Sequence, residues 1–156
     1  MDARRRTFIR NAGNAGAVAL LAAHGFLRPE QARAEIWNKP AFNATSLEDA
    51  LAIVVDAPLI HSTEVMIVAP DIAENGAVVP VGVTASMTGV KSIAILCEKN
   101  PHPLAAVYEI PAGTLADVKT RVKMAGTSNV VVLVKADGKF HMATKEIKVT
   151  RGGCGG

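Results

Sequence analysis

The stretch Val130-Val131-Val132-Leu133-Val134-Lys135-Ala136-Asp137-Gly138-Lys139-Phe140-His141-Met142-Ala143 decides the fold. Two β-prone runs, Val130 to Lys135 and Phe140 to Val149, flank Asp137-Gly138. That pair accepts the positive φ angles of a tight turn, so the segment predicts a β-hairpin. Working toward the N-terminus, Val118 to Met124 alternates apolar and basic residues, and Leu104 to Ile110 is a further strand-like run. Asn100-Pro101-His102-Pro103 separates that run from Val90 to Glu98, where Ile93, Ile95 and Cys97 share one face and Ala94 and Leu96 the other. A valine-rich run from Ala77 to Ser86 follows the turn signal Asn75-Gly76, and Glu64 to Ala69 closes at Pro70. Six or seven short strands with frequent turn signals predict an all-β fold, an antiparallel β-sandwich whose strands each bury one face.

One short helix is expected, from about residue 47 to 55. Ser46-Leu47-Glu48-Asp49 resembles a capping box, Leu47, Ala50, Leu51 and Val54 recur at helical spacing, and Pro58 ends the element. Pro40, just after the single tryptophan Trp37, reads as a helix breaker.

Residues 1–34 read as an export signal rather than as part of the fold. Arg5-Arg6-Thr7-Phe8-Ile9-Arg10 fits the twin-arginine pattern, Ala15 to Leu27 is mildly apolar, and Ala32-Arg33-Ala34 offers a small-residue cleavage site. A membrane span needs about 20 apolar residues; this run is shorter and contains Gly16, His24 and Gly25. Of 17 basic and 14 acidic residues, the signal takes six arginines and two acids, leaving 11 and 12 and a formal charge of −1. The precursor's +3 is therefore misleading, and a near-neutral body gives no electrostatic reason to expect nucleic acid or an anionic membrane as partner. The expected destination is the bacterial periplasm. The expected organisation is a signal at 1–34, a sandwich at 35–150 and a flexible arm at 151–156.

That arm ends in Gly152-Gly153-Cys154-Gly155-Gly156, directly after the last predicted strand. Glycine restrains the backbone little, and an extended chain from Thr150 to Cys154 spans roughly 13–14 Å at about 3.3–3.6 Å per residue. Cys154 is the residue whose setting calls for chemistry. An ordinary thiol is only about 3 per cent ionised at neutral pH, and nothing on a glycine tail can hold a base or an oxyanion site at fixed geometry. The pattern suits covalent loading by a partner better than self-contained catalysis. Other readings stand beside it: a Cys97–Cys154 disulfide, with Cys97 otherwise a small core residue, or an inert tail on a structural domain. A thiol carrier of a soft metal ion or of redox equivalents lacks a second ligand in this sequence, and an adenylated Gly155-Gly156 carboxylate leaves the cysteine without a role. His61, His102 and His141 show no ligand spacing, so no metal is expected.

The twin-arginine signal, Ala73-Glu74-Asn75-Gly76-Ala77-Val78-Val79-Pro80-Val81, Asn100-Pro101-His102-Pro103-Leu104-Ala105 and the terminal Gly-Gly-Cys-Gly-Gly together resemble the SoxY family of the bacterial thiosulfate-oxidising (Sox) system. Cys97 departs from the single cysteine that the family pattern leads one to expect. The resemblance implies an immunoglobulin-like sandwich, non-catalytic by itself and paired with a SoxZ-like subunit. It implies sulfur intermediates attached covalently to Cys154, with no intrinsic cofactor. A c-type cytochrome would load thiosulfate, a dimanganese hydrolase would release sulfate, and in some organisms a sulfur dehydrogenase would act on the sulfur that remains. Gly152, Gly153, Gly155 and Gly156 would let the arm enter each partner's channel.

Overall fold

The computed structural model describes residues 38–152; the expected signal at 1–34 and Gly153, Cys154, Gly155 and Gly156 lie outside them. The chain forms helices α1 (Lys39–Asn43) and α2 (Leu47–Val54). Strands β1 (Leu59–His61), β2 (Val65–Val68), β3 (Ile72–Ala73), β4 (Val79–Ala85) and β5 (Val90–Cys97) follow. The remaining strands are β6 (Leu104–Glu109), β7 (Asp117–Val122), β8 (Ser128–Ala136) and β9 (Lys139–Val149). One sheet runs β1-β9-β8-β5-β6, with β3 also on β9, and the second runs β2-β4-β7. The fold is all-β, a two-sheet sandwich.

The hairpin closes as its sequence predicts. Asp137 at φ 48° and Gly138 at φ 73° carry the turn, and Lys135 pairs Phe140 while Ala136 pairs Lys139. The helix cap also forms, with Asp49 N–H donating to Ser46 Oγ at 3.0 Å. Pro40 does not break a helix but sits in the first turn of α1, where its missing N–H has no intrahelical partner to lose. The Asn38 side chain caps that helix, accepting from Ala41 N–H at 3.3 Å.

The strands are not all antiparallel, nor does each bury a single face. β1 and β3 run parallel to β9, against the start and the end of that long strand. β5 and β8 are buried on both sides. Ile93, Ile95, Cys97, Val130, Val132 and Val134 pack toward β4 and β7 with Val79, Val81, Val83 and Val122. Ala94, Leu96, Val131 and Leu133 pack on the other side with Phe140 and with Ala41, Ala44 and Ala50 of the helical layer. The reason is that α1 and α2 cover the outer face of the larger sheet, so the described residues form three layers around two cores. Small alanines at the helix contact let the helices lie close to the sheet. Lys135 ties the layers at their rim. Its Nζ reaches both Asp56 oxygens at 2.8 Å, a hydrogen bond that holds the Asp56 carboxyl below the usual carboxylate range. Asp56 is exposed, so the pair adds little stability.

Ile95 is fully buried in the middle of β5 between the two sheets. Ile95→Ala should lower the unfolding free energy by about 2–5 kcal/mol in urea titration. Leu115→Ala, at a side chain 85 % exposed, should change it by less than about 0.5 kcal/mol.

Candidate functional site

β9 carries the chain from the core to the C-terminal arm, and the structure shows how its end is held. Past Ala73, paired with Val149, the backbone of the 73–76 segment keeps bonding to the chain that leaves the strand. Thr150 N–H donates to the Ala73 carbonyl at 3.1 Å, and Thr150 Oγ donates to the Glu74 carbonyl at 2.9 Å. Gly76 N–H then donates to the Arg151 carbonyl at 2.7 Å, and the Gly76 carbonyl accepts from Met124 N–H at 2.7 Å. Asn75-Gly76 is thus not a hairpin turn, because β3 and β4 on either side of it belong to different sheets. Asn75 Oδ1 accepts from Ala77 N–H at 2.8 Å to shape the bend, and the buried Gly76 peptide joins two distant segments.

The opposite wall is residues 123–127. Asn100 grips it with both ends of its amide: Nδ2 donates to the Lys123 carbonyl at 2.7 Å, and Oδ1 accepts from Ala125 N–H at 2.9 Å. Thr127 Oγ accepts from Val149 N–H at 3.0 Å. Between these points the Ala125 carbonyl oxygen faces Gly152 so closely that any Cβ there would collide with it. Gly152 therefore has a reason inside its own domain: only glycine lets the chain pass this carbonyl.

The Asn100-Pro101-His102-Pro103-Leu104-Ala105 stretch is positioned by the end of β5. Cys97 N–H donates to the Pro103 carbonyl at 2.8 Å and Asn100 N–H to the Cys97 carbonyl at 3.1 Å. His102 Nδ1 donates to the Ala44 carbonyl at 3.2 Å, which ties the turn to the helical layer and places a proton on Nδ1. Cys97 is fully buried in the core with Ile93 and Ile95, as their shared phase along the strand implies.

Among the described residues, no three or more His, Cys, Asp and Glu side chains gather where they could hold a metal ion. No helix among them is long and apolar enough to cross a membrane. Of the sequence-identified site, the structure places Gly152; Cys154, Gly153, Gly155 and Gly156 fall outside the described residues. It adds Gly76, Asn100, Ala125, Thr127 and Thr150, which sequence reasoning did not single out as a structural unit. For Asn100 the sequence offered an amide-bearing residue before a proline at a strand end, within the stretch Asn100-Pro101-His102-Pro103-Leu104-Ala105.

This architecture is a β-sandwich with a clamped chain end, and comparison with known proteins fits it to a class. The family model for sulfur oxidation protein SoxY matches residues 50–154. The solved structure of the sulfur carrier protein SoxY from Chlorobium limicola f thiosulfatophilum is 42% identical, with a TM-score of 0.62 over 67% of this chain and 96% of that one. Superoxide reductase (neelaredoxin) from Ignicoccus hospitalis is 18% identical, with a TM-score of 0.49 over 55% of this chain and 79% of that one, a likeness that carries no argument. No curated protein matches the chain significantly by sequence. The class is that of the all-β carrier proteins of sulfur oxidation. The chain belongs to the SoxY family.

Gly152→Val should push the chain end off its seat while leaving the body folded. In native-state hydrogen exchange the Gly76 amide, which bonds Arg151, should exchange at least tenfold faster, with an unchanged far-ultraviolet spectrum. Asn100→Ala should accelerate the same amide and cost about 1–3 kcal/mol of stability, because it leaves the Lys123 carbonyl and Ala125 N–H unpartnered. Unchanged Gly76 protection in Gly152→Val would show that the Ala125 contact does not seat the chain.

Proposed function

We propose that this protein carries the sulfur intermediates of thiosulfate oxidation covalently on Cys154, in the periplasm after twin-arginine export, and does no chemistry alone. The observation that supports this reading most is the clamp on the chain just before the arm. Backbone bonds hold Thr150 and Arg151, Gly152 passes the Ala125 carbonyl, and the thiol stands two residues further on. A firmly rooted base with the thiol beyond it serves a group presented to other proteins. Family membership supports the carrier role itself.

In the loading step the Cys154 S–H bond breaks and an S–S bond forms between Sγ and the sulfane sulfur of thiosulfate. The proton leaves to solvent and two electrons pass to a c-type cytochrome partner. The product is a cysteine S-thiosulfonate, an anion at the end of the arm. In the next step water attacks the terminal sulfone sulfur on a dimanganese hydrolase. The S–S bond to that sulfone breaks, sulfate and a proton leave, and a persulfide stays on Cys154. A sulfur dehydrogenase is the partner suited to oxidise that remaining sulfur. This chain's own part is to fix the root and expose the thiol, while a SoxZ-like subunit completes the carrier. No cofactor of its own enters these steps.

Intact-mass measurement after incubation with thiosulfate and the oxidising cytochrome should show one reducible thiosulfate adduct, absent from Cys154→Ser. An adduct that persists in Cys154→Ser, or none when the cytochrome is active, would refute the reading. Gly153→Val should leave the fold intact and slow loading or sulfate release at least tenfold, because the obstruction lies in the partner's channel; unaltered turnover would refute the slim-arm argument.

A further inference from the structure

The Asn75-Gly76 peptide in the clamp carries a chemistry of its own. Asn75 is the only asparagine in the sequence that a glycine follows. Glycine puts no side chain in the way of its own backbone nitrogen. That nitrogen can attack the amide carbon Cγ of the asparagine before it, closing a succinimide ring and releasing ammonia. The structure prepares one half of this reaction and withholds the other. Asn75 is exposed, so water and base reach its side chain. Ala77 N–H donates to Asn75 Oδ1 at 2.8 Å, and this is the oxygen that takes up negative charge when Cγ is attacked. A backbone donor already aimed at that oxygen stabilises the oxyanion as it forms.

The nucleophile is the half held back. Gly76 is buried, and its N–H donates to the Arg151 carbonyl at 2.7 Å. The peptide unit that must turn is tied at both ends, because its carbonyl, that of Asn75, accepts from Val78 N–H at 3.4 Å. On the far side of Gly76, its own carbonyl accepts from Met124 N–H at 2.7 Å. An amide engaged in this way gives up its proton only when the bond opens, the same event that limits its hydrogen exchange. The bond that must open is the one to the outgoing chain end, at exposed Arg151.

The geometry points to Asn75 as a spontaneous deamidation site that the seated chain end holds shut, and whose isoaspartyl product unseats that end for good. When Arg151 lets go, solvent base removes the Gly76 amide proton and the nitrogen bonds to Asn75 Cγ. The Cγ–Nδ2 bond then breaks, and ammonia leaves with a proton returned by solvent. Water opens the ring in one of two ways. Cleavage of the new bond at Cγ yields aspartate. Cleavage at the backbone carbonyl carbon of residue 75 yields isoaspartate, whose main chain runs through Cβ and Cγ and is a methylene longer. No electrons change hands, and water is the one co-reactant. The added methylene carries Gly76 N–H out of line with the Arg151 carbonyl. Aspartate keeps the original main chain and an oxygen for Ala77 N–H, so it keeps the clamp. Neither step needs Cys154 or another protein.

The test ages the full chain in mildly alkaline buffer. Peptide mass mapping follows the amide-to-acid change at Asn75, chromatography separates isoaspartate from aspartate, and hydrogen exchange at the Gly76 amide is read on the same samples. Exposed Asn43, which Ala44 follows, is the internal control. Conversion at Asn75 should be at least tenfold slower than in a free peptide of residues 73–79. It should rise in proportion to Gly76 exchange in Gly152→Val, in Asn100→Ala and in the wild type under sub-denaturing urea, while conversion at Asn43 does not follow it. In the isoaspartyl fraction the Thr150 amide, bonded to the Ala73 carbonyl, should exchange at least tenfold faster than in the fresh chain. Asn75→Asp should keep wild-type protection at that amide. Peptide-like conversion in the wild type, Gly76 exchange that rises without conversion, a protected Thr150 amide in the isoaspartyl fraction, or an unprotected one in Asn75→Asp would each overturn the proposal.

Discussion

Two-sided burial of β5 and β8 is the constraint on which the rest of the molecule depends. A strand with apolar residues on both faces must be covered on both, and here one cover is the β2-β4-β7 sheet and the other is the pair of short helices. Neither helix is long enough to be stable alone in water, so each owes its shape to the alanine-lined contact with the sheet. Because the central strands cannot slide without exposing one core or the other, β9 is fixed in register along its whole length. That fixed strand delivers Thr150 to the clamp. The precision of the chain end is inherited from the core, through one strand.

Sequence reading was informative where the pattern was local and long. The hairpin through Asp137-Gly138, the Ser46 cap and the placement of Cys97 with Ile93 and Ile95 are all short-range statements, and each appears in the structure. β1 and β3 contain three and two residues, too few to show any period, and both exist because β9 offers them a partner. α1 was hidden by Pro40, since a proline at the start of a helix and one that breaks it look alike without the capping contact of Asn38. The second core was visible in a way, since Ala94 and Leu96 are apolar on the face opposite Ile93 and Ile95. What the alternation could not supply was the cover that makes such a face dry. The clamp was least legible. Asn100 is separated by 25 residues from the amide of Ala125 that it binds, and Thr150 by 76 from Glu74. Bonds to backbone impose no residue pattern on the segment that receives them, so only the folded chain reveals them.

In the proposed carrier role, function rests on a division between what is held and what is presented. The polar groups at the clamp are satisfied by one another, through the Asn100 amide, the Thr127 and Thr150 hydroxyls and the Gly76 peptide. Such a site stiffens the root and leaves little reactive capacity there. Chemistry performed by other proteins then needs a scaffold that neither competes for the cargo nor lets its base wander.

The long reach of the Gly76 bonds also bears on how the molecule is made. β9 sits inside the larger sheet, between β1 and β8, yet it is the last of the described strands. During synthesis from the N-terminus, β1 and β3 have no strand partner until β9 leaves the ribosome, and within the 73–76 segment only the Gly76 carbonyl, bonded to Met124 N–H, has its partner before Thr150 and Arg151 emerge. Contacts separated by so many residues carry a large loop-closure cost and form late. The pairings that seat β1 and β3 on β9 are thus among the late contacts of the fold.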